Sequence, residues 1–266
     1  MIPRSPKTKE YGQASLVTVM TIFLTYSSQL FAAQKNFVIT SDVWCPFNCA
    51  MGNADQGFMI DVAREILGTQ GYKVEYQTQS WSDSRTAVAN GKKDAVVGAS
   101  REEAIGLVLA EEPLGENKNC FYTGIDDPFI FQGVAGLVKR RIAVSAGYLY
   151  GSSIDRYVED HRANFDLVQL GTGDQPLLQN IRKLKAKRLD TLIENQHVMD
   201  YSLRKYRISG IRLAGCEAPT PLYMAISPKR DDAGKISSLM ARGIRRLRQS
   251  GRMREILLRY GLEDWK

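Results

Sequence analysis

The feature that most restricts the fold of this chain is a repeated alternation of short apolar segments with amphipathic ones. The first series is, in chain order, strand 36–40, helix 59–67, strand 73–78, helix 82–91 and strand 94–99. Ser82 is expected to cap the second of these helices, since serine is a preferred N-cap residue. Strands that alternate with helices predict a parallel sheet with crossover helices.

A second series of the same kind follows. Its predicted elements are strand 141–147, helix 152–161 capped by serine, strand 165–170, helix 174–187, strand 189–194, helix 195–206 and strand 210–215. Strands near 119–123 and 221–227 bracket this series, and the helices 232–251 and 252–261 come after the second bracket. We therefore expect an α/β chain with two doubly wound units, in which the terminal helices return to the first unit.

The amino-terminal segment, residues 1–33, has the order of features that is typical of an export signal. A basic start over 4–9 precedes an apolar run over 16–24, and the small residues Ala32 and Ala33 precede a polar stretch. This order predicts a secretory signal peptide and a periplasmic location for the mature protein. An uncleaved amino-terminal anchor is the alternative, although the apolar run is shorter than the ~20 residues that a membrane span needs.

The charge pattern does not favour a nucleic-acid partner. The formal net charge is only +7, and the arginines of the most basic stretch, residues 242–254, are interleaved with apolar residues. That spacing is typical of a helix with one solvated face and one packed face.

The chain has four cysteines, and an exported protein of this kind is expected to form two disulfides, with three pairings open. A zinc site would need ligands in paired clusters, but Cys120 and Cys216 stand alone in the sequence. Cys45 and Cys49 have three residues between them, whereas a redox pair normally has two. No metal and no cofactor are expected.

Six motifs taken in order resemble the type II periplasmic substrate-binding proteins, in the branch of receptors for amino-acid-type ABC transporters. They cover the chain from Asn36 to Trp265 and read "VITSDVWCPF", "GFMIDVAREI", "ANGKKDAVVGAS", "RIAVSAGYLYG", "KRLDTLIEN" and "LRQSGRMREILLRYGLEDW". The resemblance implies two lobes joined by a two-strand hinge, with a small molecule held in the cleft between them. The lobes map to 34–121 plus 219–266 and to 122–218.

The resemblance also implies a disulfide pairing. In this family the two hinge strands run side by side, which would bring Cys120 and Cys216 within bridging distance. The remaining pair, Cys45–Cys49, would then stiffen the loop that carries Trp44.

Five candidate ligand-binding residues follow strands of the first unit. Trp44 and Trp81 match positions where the family places aromatic rings around the ligand. Gly98 and Ser100 end the third strand, where backbone amides and a hydroxyl commonly hold a carboxylate. Arg101 would then stand in for the arginine that normally binds the ligand carboxylate with two parallel hydrogen bonds. Packing and surface roles are the alternatives for these residues.

Four further candidates lie in the second unit. Gly147, Tyr148 and Tyr150 sit between a strand and a helix, where backbone amides at a helix start favour an anion. Asn195 occupies the position of the aspartate that pairs with the ligand ammonium in amino-acid receptors. Asparagine carries no charge, so this departure favours a carboxylate-bearing solute with a modified amine end over a standard amino acid.

The resemblance implies a monomeric solute-binding protein that delivers an amino acid or related carboxylate to a membrane permease or a sensor. An enzyme on the same scaffold, such as a dehydratase, is the alternative. It would require an acid or base in the cleft, for which Asp42 and Glu194 are the candidates. Because neither carboxylate stands out in the sequence, we expect a binding protein and not an enzyme.

Overall fold

The computed structural model describes residues 1–3, 6, 8, 35–173 and 175–266, so most of the predicted export signal lies outside the described residues. The described strands are β1 (Lys35–Ser41), β2 (Tyr72–Thr78), β3 (Ala95–Ala99), β4 (Val108–Leu109), β5 (Gly115–Asn117), β6 (Asn119–Gly124), β7 (Ile142–Ser145), β8 (Val168–Gly171), β9 (Thr191–Asn195), β10 (Ile211–Cys216) and β11 (Thr220–Ile226). The described helices are α1 (Phe58–Gly68), α2 (Trp81–Ala89), α3 (Ser152–His161), α4 (Pro176–Lys185), α5 (Gln196–Lys205), α6 (Ala233–Gln249) and α7 (Arg252–Arg259).

These strands form two sheets. The first sheet has the order β2-β1-β3-β11-β4, and β5 also pairs with β11. Its strands β1, β2 and β3 are parallel, and β11 runs antiparallel to β3. The second sheet has the order β10-β6-β9-β7-β8, with β7, β8 and β9 parallel and β6 antiparallel to β9. The predicted α/β architecture is therefore present.

The chain crosses between the sheets twice. It leaves the first sheet after β5 and returns to it at β11, so residues between these strands build the second sheet. β6 begins at Asn119, inside the stretch that the sequence assigned to the first lobe. The lobe boundaries themselves stay a prediction.

A disulfide joins the two strands at the crossing. Cys120 on β6 lies directly opposite Cys216 on β10, and the two sulfurs are bonded. A second disulfide joins Cys45 to Cys49 in the loop after β1. These are the two pairs that the family resemblance implied.

The carboxy-terminal helices pack on the first sheet's side of the molecule, as the sequence predicted. α6 and α7 both contact α1, and α6 also contacts β4 and β11. α6 approaches α1 very closely at Gly243, where a Cβ atom would overlap the side chain of Ile66. The amphipathic pattern of α6 explains its position, since Ile236, Met240 and Ile244 are buried on one face.

Two predicted helix caps were wrong. Ser80, not Ser82, caps α2, and its hydroxyl accepts a hydrogen bond from the backbone N–H of Asp83 at 3.2 Å. The helix thus begins one residue earlier than predicted, which makes Trp81 its first residue. At α3 the N-cap residue is Gly151, and no serine side chain caps the helix. The Asp155 carboxylate accepts hydrogen bonds from the backbone N–H groups of Tyr150 and Gly151.

Candidate functional site

Residues of both sheets and of the loops that follow their strands line two neighbouring chambers, the smaller called the inner chamber and the larger the outer chamber. The inner chamber has a volume of about 40 Å³, and its polar and aromatic lining comprises Asp42, Trp44, Asn48, Trp81, Glu103, Asn117 and Tyr148. The outer chamber has a volume of about 450 Å³ and shares Asp42, Trp81 and Tyr148 with the inner one. Small polar residues, including Thr78, Ser80, Ser82, Ser145 and Thr172, line the rest of the outer chamber.

Trp44 lines the inner chamber and lies on the loop that follows β1. Its backbone N–H donates to the carbonyl of Asn48 at 2.7 Å, and its own carbonyl accepts from Phe47 and Asn48. Its ring stacks on Phe47 with 4.4 Å between the ring centroids. The Cys45–Cys49 disulfide closes this turn, so the ring position is fixed by covalent bonding, backbone hydrogen bonds and stacking together.

One hydrogen bond connects this loop to the second sheet. The indole Nε1 of Trp44 donates to Oε1 of Glu194 on β9 at 3.1 Å. Glu194 is only 2% exposed, and this burial raises its pKa to about 7. The sequence named Glu194 as a possible acid or base, and the structure places it behind Trp44.

A second hydrogen bond crosses the same space. The hydroxyl of Tyr148, which follows β7, donates to Oδ2 of Asp42, which follows β1. Burial raises the pKa of Asp42 even though the hydroxyls of Tyr148 and Ser41 donate to its carboxylate. The Tyr148 ring also meets the Trp44 ring edge-on, with centroids 6.3 Å apart. Side chains from the two sheets therefore contact each other directly.

Trp81 lines both chambers, with its indole N–H turned toward a third carboxylate. Nε1 donates to Oε1 of Glu103 at 2.9 Å. The other Glu103 oxygen accepts from the backbone N–H of Ser100, whose hydroxyl accepts from the N–H of Glu103 in return. Ser100 therefore holds Glu103 in position, and burial raises the pKa of the Glu103 carboxyl.

Gly98 lines the inner chamber, but Arg101 lines neither chamber. The Arg101 side chain donates to the hydroxyl of Tyr223 at 2.9 Å, and its guanidinium lies 4.8 Å from the centre of the Tyr223 ring. The structure therefore does not bring Arg101 together with the tryptophans. Its role as a carboxylate anchor stays a prediction.

The remaining sequence candidates divide between lining and support. Gly147 lines the outer chamber, and Tyr148 lines both. Tyr150 is buried, and its hydroxyl accepts from the backbone N–H of Ser145 at 2.7 Å, which places it in the wall and not at the surface of the cleft.

Asn195 has its polar groups occupied within the protein. It is fully buried and caps α5, with Oδ1 accepting from the backbone N–H groups of His197 and Val198. Its Nδ2 donates to Oδ1 of Asn117 at 2.9 Å, and Asn117 lines the inner chamber. Asn195 thus reaches the chamber through Asn117, and its direct role toward a ligand stays a prediction.

Three polar residues that line the inner chamber were not among the sequence candidates, namely Asn48, Glu103 and Asn117. Glu103 had a readable signal, because Ser100 and Glu103 have the spacing of a capping box. Asn48 had none, since its place between the two bonded cysteines becomes meaningful only when the loop is folded. Asn117 lies on β5, a strand of three residues that the sequence pattern did not indicate.

The fold and this arrangement can be compared with known proteins. The model of the bacterial extracellular solute-binding proteins, family 3, matches residues 37–263. This chain belongs to that family. This membership confirms the resemblance inferred from the six motifs. The matched residues include the strands and helices that surround both chambers.

Several solved structures share the fold of this chain at low sequence identity. An ancestral arginine-binding protein bound to arginine is 17% identical, with 85% of this chain and 98% of that chain covered and a TM-score of 0.69. A structure describing glutathione import in Streptococcus mutans is 14% identical, with coverages of 85% and 95% and a TM-score of 0.71. A histidine kinase sensor domain is 18% identical, with coverages of 86% and 97% and a TM-score of 0.68.

No described helix is long and apolar enough to cross a membrane. Nor do the described His, Cys, Asp and Glu side chains form a group of three that could hold a metal ion.

Proposed function

We propose that this family 3 solute-binding protein acts as a monomer in the periplasm. It captures a small amino-acid-like or carboxylate solute between its two sheets and delivers it to an ABC permease or a membrane sensor. The solute is bound and released without chemical change. The predicted export signal and family membership support the location, and the cleft supports the capture step.

The observation that carries this proposal is the pair of hydrogen bonds across the cleft. Trp44 to Glu194 and Tyr148 to Asp42 join residues on opposite sides of the space, and only two chain crossings connect the sheets. Opening of the cleft would break these two hydrogen bonds, and a solute that replaces or bridges them favours the closed form.

The volumes of the chambers fit a cleft that opens to admit its solute. The inner chamber, at about 40 Å³, is far smaller than the roughly 300–1,000 Å³ of typical small-molecule sites. The outer chamber, at about 450 Å³, falls within that range. A solute would thus occupy the outer chamber and insert one end among the rings of the inner one.

Small-angle X-ray scattering tests this closure. A thermal-shift screen of amino acids, organic carboxylates and amines first provides a solute that stabilises the protein. We expect the radius of gyration to fall when this solute is saturating, because a two-lobed protein closes around its ligand. A compound from the same screen that gives no thermal shift serves as the control. An unchanged radius with the stabilising solute would contradict capture by closure.

A further inference from the structure

The charged side chains that line the two chambers are all acidic. Among the described lining residues, the charged ones are Asp42 and Glu103, and no lysine, arginine or histidine accompanies them. Arg101, the basic residue that the sequence assigned to the site, is engaged with Tyr223 outside the lining. Both carboxylates accept hydrogen bonds from neutral groups, and neither has a basic partner within the described lining.

The aromatic donors of the inner chamber are already used by carboxylates. The ring N–H of Trp44 is bonded to Glu194, that of Trp81 to Glu103, and the hydroxyl of Tyr148 to Asp42. These side chains therefore present mainly ring surface to a solute. Ring faces attract cations through the negative potential above them.

Asn48 is an independent indication that a ligand with a hydrogen-bond donor fits the inner chamber. This side chain is 1% exposed and lines the inner chamber, and its Oδ1 is buried without a hydrogen-bond partner. Its Nδ2 donates to the backbone carbonyl of Asp42 at 2.7 Å. A carbonyl can only accept, so this contact fixes which end of the amide is the nitrogen and leaves Oδ1 as the unpaired atom.

Gly98 keeps the space in front of that oxygen open. A Cβ atom at Gly98 would lie 3.7 Å from Asn48 Oδ1 and 3.9 Å from the Trp44 ring. The absence of a side chain there leaves room beside an unpaired acceptor, a carboxylate and an aromatic ring. An unpaired buried acceptor costs roughly 1–3 kcal/mol, which a solute N–H group would recover.

We propose that the inner chamber binds a protonated amine or a guanidinium, held by the Asp42 carboxylate and Asn48 Oδ1 against the Trp44 and Tyr148 rings, and that a solute needs no carboxylate. This inference rests on the proposed solute-binding function and replaces its broad ligand class, an amino-acid-like or carboxylate solute, by an organic cation. The outer chamber then holds the polar remainder of the solute. Gln79, whose Nε2 is also buried without a partner, supplies a donor there.

Isothermal titration calorimetry with matched four-carbon compounds and two guanidines tests the ligand class. The probes are putrescine, γ-aminobutyrate and succinate, together with agmatine and arginine. We expect putrescine or agmatine to bind and succinate not to bind. The inference would be overturned if succinate bound, or if neither putrescine nor agmatine bound. It would also be overturned if only γ-aminobutyrate and arginine bound, because both carry a carboxylate. A protein that binds another solute in the thermal-shift screen and closes around it would still satisfy the proposed function.

A charge-removing variant tests the residue assignment. Asp42→Asn should weaken the binding of putrescine or agmatine, whichever the parent protein binds, by about tenfold or more. A loss of this size is expected when one partner of a buried charge pair is removed. Asp160→Asn removes the same charge from an exposed position at the end of α3 and should leave binding within about twofold. Equal affinities for Asp42→Asn and the parent protein would overturn the assignment. If Asp42→Asn does not fold, the comparison of probes with the parent protein still decides the ligand class.

Discussion

Replacing Cys120 and Cys216 together by serine should lower the free energy of unfolding by about 4–5 kcal/mol. These cysteines are separated by 96 positions, and the loop that they close contains most of the second sheet. Without the disulfide, the unfolded chain gains the conformational entropy of this long loop. The resulting loss of unfolding free energy grows with the logarithm of the loop length. Urea unfolding of both proteins at equilibrium measures the difference.

The second disulfide provides a matched control. Cys45 and Cys49 are separated by only four positions, so replacing both by serine should cost about 2 kcal/mol on the same chain-entropy basis. This double variant also loosens the Trp44 loop, so solute binding should weaken more in it than in the Cys120 and Cys216 variant. A larger stability loss for the short loop than for the long one would contradict the chain-entropy explanation.

Glu194→Gln should remove a pH dependence of stability worth about 3 kcal/mol. Burial raises the pKa of Glu194 from its ordinary 4.5 to about 7. Between these values the native carboxyl stays protonated while the unfolded one is ionised, so the unfolded state binds fewer protons. The stabilising contribution is therefore full below pH 4.5 and is lost as the pH rises toward 7.

Glutamine cannot ionise and keeps an oxygen that accepts from the Trp44 indole. The unfolding free energy of Glu194→Gln, relative to the parent, should accordingly rise between about pH 4.5 and pH 7 and then level off. Denaturant unfolding at four pH values across this window measures the difference. Taking this difference cancels contributions from Asp42 and Glu103, whose pKa values are also raised.

Glu159→Gln is the control for the loss of a negative charge alone. Glu159 lies at the surface of α3, where its carboxylate is 69% exposed and pairs with Arg162. We expect the stability difference between this variant and the parent to vary little over the same pH range. A parallel pH profile for Glu194→Gln and the parent would show that Glu194 ionises freely in the folded protein.

The periodic patterns in the sequence were sufficient to predict the architecture. Strands β1, β2 and β3 and helix α1 lie within one or two residues of their predicted positions, because burial on one or both faces dictates their residue spacing. The two-residue β4 and the three-residue β5 were not predicted, since strands this short show no detectable alternation of apolar and polar residues. The bounds of α2 shifted because two serines competed for one cap.

The residues of the site were less predictable than the fold. Whether a residue lines a chamber depends on the orientation of its side chain in the folded protein. Trp44, Trp81 and Tyr148, three of the sequence candidates, line the chambers, and their contact with a ligand stays a prediction. Arg101 lies two residues after the end of β3, but its side chain donates to Tyr223, a residue 122 positions away. Asparagine is among the preferred N-cap residues, so the capping role of Asn195 was readable from its place before a helix.

Native mass spectrometry of the protein freshly purified from the periplasm tests the central claim most directly. The account predicts a population heavier than the bare chain by the mass of one small organic solute, which leaves on collisional activation. The bare mass should correspond to a chain without residues 1–33 and with both disulfides formed. A single bare mass that stays unchanged after incubation with the amino acids, carboxylates and amines of the thermal-shift screen would contradict a solute receptor.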